Sequence, residues 1–174
     1  MAPTDKHVVI LAADLFEDAE LLYPLWRLQE EEEVETTLAG ITGDPVSGKK
    51  GHGPVEVDTV VSKLDAQDID LLVIPGGFAP DKLRQSDEVL DLVRGLDAAG
   101  TPIAFICHAG WVPISAGIIA GRRATSVAAI KDDMVNAGCE WSDEPTVVDR
   151  NLISARHPGD LGPWLKAILA ALDE

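Results

Sequence analysis

Three continuous apolar runs of strand length constrain this chain most: His7-Val-Val-Ile-Leu-Ala-Ala13, Ile69-Asp-Leu-Leu-Val-Ile74 and Ile103-Ala-Phe-Ile106. A strand with apolar side chains on both sides of its pleat has no face to offer to water, so each must be covered above and below. Between the runs, apolar residues recur with helical period. Leu21, Leu22, Leu25, Trp26 and Leu28 do so over residues 17–30, with Glu17, Asp18 and Glu20 in the first turn, where the helix dipole favours carboxylates. Pro24 inside that pattern predicts a kink or a later start. Val89, Leu90, Leu92, Val93 and Leu96 form the inner face of a second helix over residues 87–99, ended by Gly100. Alternating buried strands and one-sided helices predict an α/β fold, a three-layer sandwich around a mostly parallel sheet.

The remaining segments fit that frame. Residues 34–39 alternate like a strand, and residues 43–54 are polar and Gly-rich, a loop or hairpin. A small-residue helix is expected beyond Cys107 as far as Ala116, and a further helix around residues 131–136. Strands are expected at 146–149 and 152–155, and a last helix over 160–172. With 174 residues, no repeats and no linker, the chain reads as one domain over 1–174, residues 1–5 forming a flexible tail.

Charge and cysteine content exclude several function classes. A formal net charge of −16 sets the chain against nucleic-acid backbones and anionic membranes, so neither is expected as a partner. The same acidity suits either plain solubility or life in high salt. Two cysteines, Cys107 and Cys139, make no disulfide framework and no zinc pattern. The start carries no secretory pattern and no apolar stretch approaches the ~20 residues of a membrane span, so the expected location is cytoplasmic.

In an open parallel sheet, ligands bind beyond the carboxyl ends of the strands. The first run ends in Asp14-Leu-Phe-Glu17, the second in Pro75-Gly-Gly-Phe78, and the third in Cys107-His108-Ala109-Gly110. A strand running into Cys-His, small residues and a helix has the layout of a nucleophile elbow, with a sharp turn and small residues after it. The helix N-terminus favours a thiolate, and the N–H groups of Gly76 and Gly77 are placed to form half of an oxyanion site. If Glu17 lies within ~3 Å of that sulfur, its pKa should be raised and it should donate a proton, since two adjacent anions oppose each other.

Four groups of residues give the chain a resemblance to a known family. They are Phe16-Glu17-Asp18-x-Glu20, Pro75-Gly76-Gly77-x-Ala79-Pro80, Ala104-x-Ile106-Cys107-His108, and the stretch from Ile130-Lys131-Asp132-Asp133-Met134 to Glu140-Trp141. With these the chain resembles the PfpI branch of the ThiJ/PfpI superfamily, whose fold is flavodoxin-like and similar to a class I glutamine amidotransferase domain. The resemblance implies Cys107 as nucleophile, Glu17 as the carboxyl hydrogen-bonded to its sulfur, and His108 as neighbouring acid/base and backbone oxyanion donor. It also implies a homo-oligomer, dimer or hexamer, in which an acidic residue, Asp81 here, orients the histidine of an adjacent subunit. Where the family commonly has Gly-Pro after Cys-His, this chain has Ala109-Gly110 followed by Trp111; Phe78, Ala109 and Trp111 are expected to line the pocket.

The function implied is a cofactor-free and metal-free thiol enzyme acting on reactive carbonyls or glycated substrates, of glyoxalase or deglycase type. The alternatives are an intracellular cysteine peptidase and a stress-response redox sensor or chaperone. No Gly-x-Gly-x-x-Gly dinucleotide fingerprint is present. Cys139 reads as structural, His52 as loop, His157 as core or rim, Trp26, Trp141 and Trp164 as packing, and the acidic run 30–33 as a solvated helix end.

Overall fold

The computed structural model describes residues 6–31 and 34–173; the expected tail at 1–5 and half of the acidic run lie outside them. The chain opens with β1 (Lys6–Ala12), α1 (Asp18–Gln29), β2 (Val34–Gly40), β3 (Thr59–Val60) and β4 (Leu71–Ile74). α2 (Ala79–Leu83), α3 (Asp87–Ala99), β5 (Ile103–Ile106) and α4 (Trp111–Ala116) follow. It closes with β6 (Arg123–Ala124), α5 (Lys131–Asn136), β7 (Glu140–Trp141), β8 (Thr146–Asp149), β9 (Leu152–Ala155) and α6 (Leu161–Leu172). Seven strands form one sheet in the order β3-β2-β1-β4-β5-β9-β8, parallel throughout except for the β8–β9 hairpin.

The central strands are buried as their composition demands: Val8 to Ala12, Leu71 to Ile74 and Ile103 to Ile106 are essentially without exposed surface. The chain winds from β1 outward to β2, then returns to the other side of β1 to lay down β4 and β5. Right-handed crossovers in opposite directions place α1 and α3 on opposite faces. The winding direction reverses beside β1, so a crevice opens at the carboxyl ends of β1 and β4, with the end of β5 next to it.

Local chemistry sets the helix limits. Ser86 accepts from the Val89 N–H at the start of α3, and Gly100, with φ +77°, closes its end. α1 runs through Pro24 with neither a late start nor a break. Trp26 departs from expectation: its ring stands outward, 55% exposed, with His52 edge-on at 6.2 Å. Trp164 is fully buried in the core. His157 is half exposed and caps the turn before α6, its Nδ1 accepting from Gly159 N–H. No helix among the described residues is long and apolar enough to cross a membrane.

Candidate active site

β5 ends at Ile106 in extended geometry, and the next residue, Cys107, takes φ +62°, a left-handed conformation that L side chains rarely adopt. Residues 107–110 form a single tight turn that feeds α4. The turn depends on small residues behind the cysteine. A Cβ built on Gly110 would sit 2.8 Å from the Met134 sulfur, and Ala109 is fully buried. Ala109 therefore supports the turn from beneath and contributes no surface to an open pocket, contrary to expectation.

The carboxyl that meets the sulfur is Glu20, and this corrects the assignment to Glu17. Glu20 has no exposed surface; its Oε2 accepts from Gly76 N–H at 2.8 Å. A Cβ on Gly76 would lie 2.4 Å from Glu20 Oε2 and 2.8 Å from Cys107 Cβ, so the missing side chain of Gly76 is the space in which the two groups meet. Glu20 Oε1 makes no hydrogen bond of ordinary geometry among the described residues, while the Cys107 thiol lies close enough to act on the carboxyl. Burial pushes the Glu20 carboxyl up to about 8; the Gly76 N–H opposes the shift and the nearby Glu17 charge reinforces it.

Glu17 is one turn away and in a different electrostatic setting. Its carboxylate is gripped by Lys49 Nζ at 2.6 Å and Lys50 Nζ at 2.5 Å. Burial would raise its pKa, but the two ammonium groups outweigh burial and hold it below the usual range. Glu17 is thus a fixed anion, unable to serve as a proton donor to sulfur near neutral pH.

Cys107 faces opposing influences. Burial and the Glu20 carboxylate push its thiol up to about 12, against the N–H groups of His108 and Gly77 and the Lys49 charge. The like-charge cause acts only while Glu20 is ionised, so the two groups titrate as a pair holding one negative charge between them. Glu20 is the first of the two to lose its proton, and its charge then helps to keep the thiol protonated. A standing thiolate at pH 6 is therefore not what these surroundings support. His108 Nδ1 lies 3.3 Å from the sulfur, and burial together with Lys49 lowers its pKa, leaving a neutral imidazole able to accept the thiol proton.

Two backbone donors turn toward the sulfur, Gly77 N–H and His108 N–H. Gly76 N–H, expected to share that duty, is committed to Glu20 instead. Gly77 adopts φ +79° with the Glu17 and Leu15 backbones packed where a Cβ would go, so only glycine fits. Trp111 flanks His108, ring centroids 5.2 Å apart, and is fixed by its Nε1 donating to Asp133 Oδ2 at 2.9 Å and by the Arg84 guanidinium 5.4 Å over its ring. Phe78 stands 61% exposed at the mouth with Lys49 Nζ 5.8 Å from its ring centre. Asp81 is exposed in the first turn of α2, and among the described residues no hydrogen bond joins it to His108. Cys139 is buried, its thiol pushed up to about 11 by burial, as suits a structural cysteine.

Sequence reasoning missed Glu20, Lys49, Lys50 and Asp133. One signal was available for Glu20: it falls at i, i+4, i+8 with Pro24 and Leu28, all three buried, so a carboxyl lies on the inward stripe of α1. A separate cavity of about 750 Å³ opens at the amino ends of β5 and β9, around Asp97, Arg122, Arg150 and Asn151. It is not the better candidate site, because the Arg122 guanidinium is already spent on Asp97, Asp149 and Asn151.

Comparison with known proteins places the same residues in context. The sequence pattern of the DJ-1/PfpI family matches residues 6–171. A Pyrococcus furiosus protein named Deglycase PfpI is 41% identical over 165 residues, covering 95% of this chain and 98% of that one. A Bacillus subtilis protein named Putative cysteine protease YraA is 34% identical over 156 residues, covering 90% of this chain and 92% of the other. Among solved structures, a two-domain Anabaena variabilis protein with DJ-1/ThiJ/PfpI-like and ferritin-like domains superposes with a TM-score of 0.94 at 36% identity. The match takes in 97% of this chain, which spans about half (48%) of the Anabaena protein.

Proposed function

Since the chain belongs to the DJ-1/PfpI family, we propose that it is a cofactor-independent, cysteine-dependent enzyme acting on reactive carbonyl compounds, of the deglycase or glyoxalase type. One observation carries the reading: a cysteine on a strained elbow stands between a buried carboxyl that keeps its proton near neutral pH and a neutral imidazole 3.3 Å from the sulfur. A buried structural cysteine needs neither neighbour. The name of the Pyrococcus relative points the same way.

In this reading Cys107 Sγ attacks the aldehyde carbon of a 2-oxoaldehyde as its thiol proton passes to His108 Nδ1. The N–H groups of Gly77 and His108 steady the oxygen as charge develops, and the imidazolium returns the proton to give a hemithioacetal. Glu20 and His108 then move a proton from the former aldehyde carbon to its neighbour, converting the hemithioacetal to the thioester of a 2-hydroxy acid. Water cleaves the thioester, releasing the acid and restoring the thiol. Oxidation at one carbon balances reduction at the next, so the reaction needs no external electron carrier. A glycation adduct enters the same sequence when the thiol displaces its amine from the carbinol carbon.

A reducing cytoplasmic setting, in which a free thiol persists, belongs to the proposal, as does self-association in which Asp81 of one copy reaches His108 of another. The test is turnover of methylglyoxal by wild-type protein and by Cys107→Ala. Loss of 2-hydroxy acid formation in the variant is expected; an unchanged rate ends the reading. Hydrolysis of short peptides without carbonyl turnover would favour the peptidase alternative suggested by the name of YraA. Stoichiometric oxidation of Cys107 by dilute peroxide with neither activity would favour a sensor.

A further inference from the structure

The Lys49–Lys50 pair takes no part in the proton transfers proposed above. In a chain with 14 basic residues against 30 acidic ones, two consecutive lysines fold back onto one carboxylate beside the reactive cysteine. Neutralising Glu17 requires one cation; the structure supplies two. The Lys49 side chain is the inner of the pair, 30% exposed against 62% for Lys50, and its charge acts on Cys107, Glu20 and His108.

The loop carrying them is built to hold that position. Leu15 N–H donates to Ser47 O at 2.7 Å, Lys49 N–H to Phe16 O at 2.9 Å, and Gly48 N–H to His52 O at 2.7 Å. Both oxygens of Asp18 accept backbone N–H groups of the loop, from Lys50 at 2.9 Å and His52 at 3.0 Å. A side chain at Gly48 would strike the Asp18 carboxyl at 2.5 Å. The residues that end β1 and start α1 thus fix the two ammonium groups relative to the elbow, and Lys50, by sharing Glu17, leaves Lys49 incompletely neutralised at the mouth. Phe78 beside it offers an apolar wall.

We propose that Lys49, with Lys50 sharing its Glu17 anchor, forms a subsite for the carboxylate of the substrate, so that the preferred substrates are carbonyl compounds bearing a carboxylate. The substrate part of the inference rests on the carbonyl chemistry proposed above; the subsite itself does not. One incompletely neutralised ammonium matches the single charge of a carboxylate, and as a point charge it demands no forked geometry. A local positive potential also counters the repulsion that an acidic chain exerts on anions entering the site.

Two alkylating probes of similar size test the subsite without any turnover: anionic iodoacetate and neutral iodoacetamide, with modification read at Cys107 by peptide mass spectrometry. The ratio of their rates cancels changes in thiol reactivity itself. In Lys49→Gln the iodoacetate-to-iodoacetamide ratio should fall about fivefold, and ~1 M salt should bring the wild-type ratio down similarly. Lys50→Gln should lower it less, and Glu17→Gln, which releases both ammonium groups, should raise it. A ratio in Lys49→Gln within twofold of wild type, or a fall in Glu17→Gln, overturns the proposal. A second arm compares phenylglyoxal with 4-carboxyphenylglyoxal as substrates. The wild type should favour the carboxylated compound in kcat/KM and Lys49→Gln should lose that preference. If neither compound is consumed while the alkylation ratio shifts as expected, the carbonyl reading fails and the anion subsite stands. If both are consumed equally and the ratio does not move, the subsite fails and the carbonyl reading stands.

Discussion

Replacing Glu20 with Gln keeps the shape of the buried side chain and removes its ability to ionise. In the folded protein burial raises the Glu20 carboxyl from 4.5 to about 8. The unfolded chain therefore releases this proton near pH 4.5, while the folded chain keeps it until about 8. Between those values the folded state holds one more proton, so stability contributed by this group falls as pH rises, by about 1.4 kcal/mol per pH unit, and levels off above 8. The full span is on the order of 5 kcal/mol, an upper bound because the coupled thiol shares the charge. The amide of Glu20→Gln can still accept from Gly76 N–H and donate toward the sulfur. Urea denaturation of both proteins from pH 5 to 9 should give similar stabilities at pH 5 and a growing advantage for Glu20→Gln toward pH 8. Parallel stability curves across that range would refute the assignment of a buried, protonated carboxyl to Glu20.

Other outcomes follow from the same geometry. Alkylation of Cys107 by iodoacetamide should stay slow through pH 8 and still be rising above pH 9, because burial and the ionised Glu20 push the thiol up to about 12, and a plateau already reached at pH 6 would contradict it. Gly76→Ala places a Cβ against Glu20 Oε2, Cys107 Cβ and Ile106 O, so it should cost on the order of 2–3 kcal/mol in chemical denaturation and slow Cys107 alkylation. Trp111→Ala removes the ring that flanks His108 and should lower kcat about tenfold with KM little changed, whereas Asp133→Asn, which keeps an acceptor for the indole N–H, should stay within about twofold.

What the sequence revealed, and what it hid, divides by range. The apolar run at Ile103–Ile106 and the amphipathic stretch at Asp87–Ala99 declare themselves because their burial pattern and the Gly100 stop are local. The elbow at Cys107 was legible for the same reason, since a strand, a nucleophile and small residues follow one another directly. The two-residue strands β6 and β7 and the short helix α2 carry no periodicity of their own and form only where the rest of the chain holds them. The confusion of Glu17 with Glu20 is the most instructive case. Both sit near the start of α1, one turn apart, with the same chemistry. What separates them comes from distant segments: Lys49 and Lys50 clamp the first, and the bare backbone of Gly76 makes room for the second beside the sulfur. Neither influence is visible in the residues around α1. Ala109 shows the reverse limit, a substitution placed correctly in sequence whose side chain turns into the core rather than toward the pocket.

Infrared difference spectroscopy of the carboxyl C=O stretch, taken between pH 6.5 and 9.5 on wild-type protein, Glu20→Gln and Glu17→Gln, tests the pairing of Glu20 with Cys107 most directly. A protonated-carboxyl band at pH 6.5 that disappears on passing pH 8, is missing from Glu20→Gln and is kept in Glu17→Gln is the predicted result. A band lost in Glu17→Gln, or no protonated carboxyl at pH 6.5 in the wild type, would contradict it.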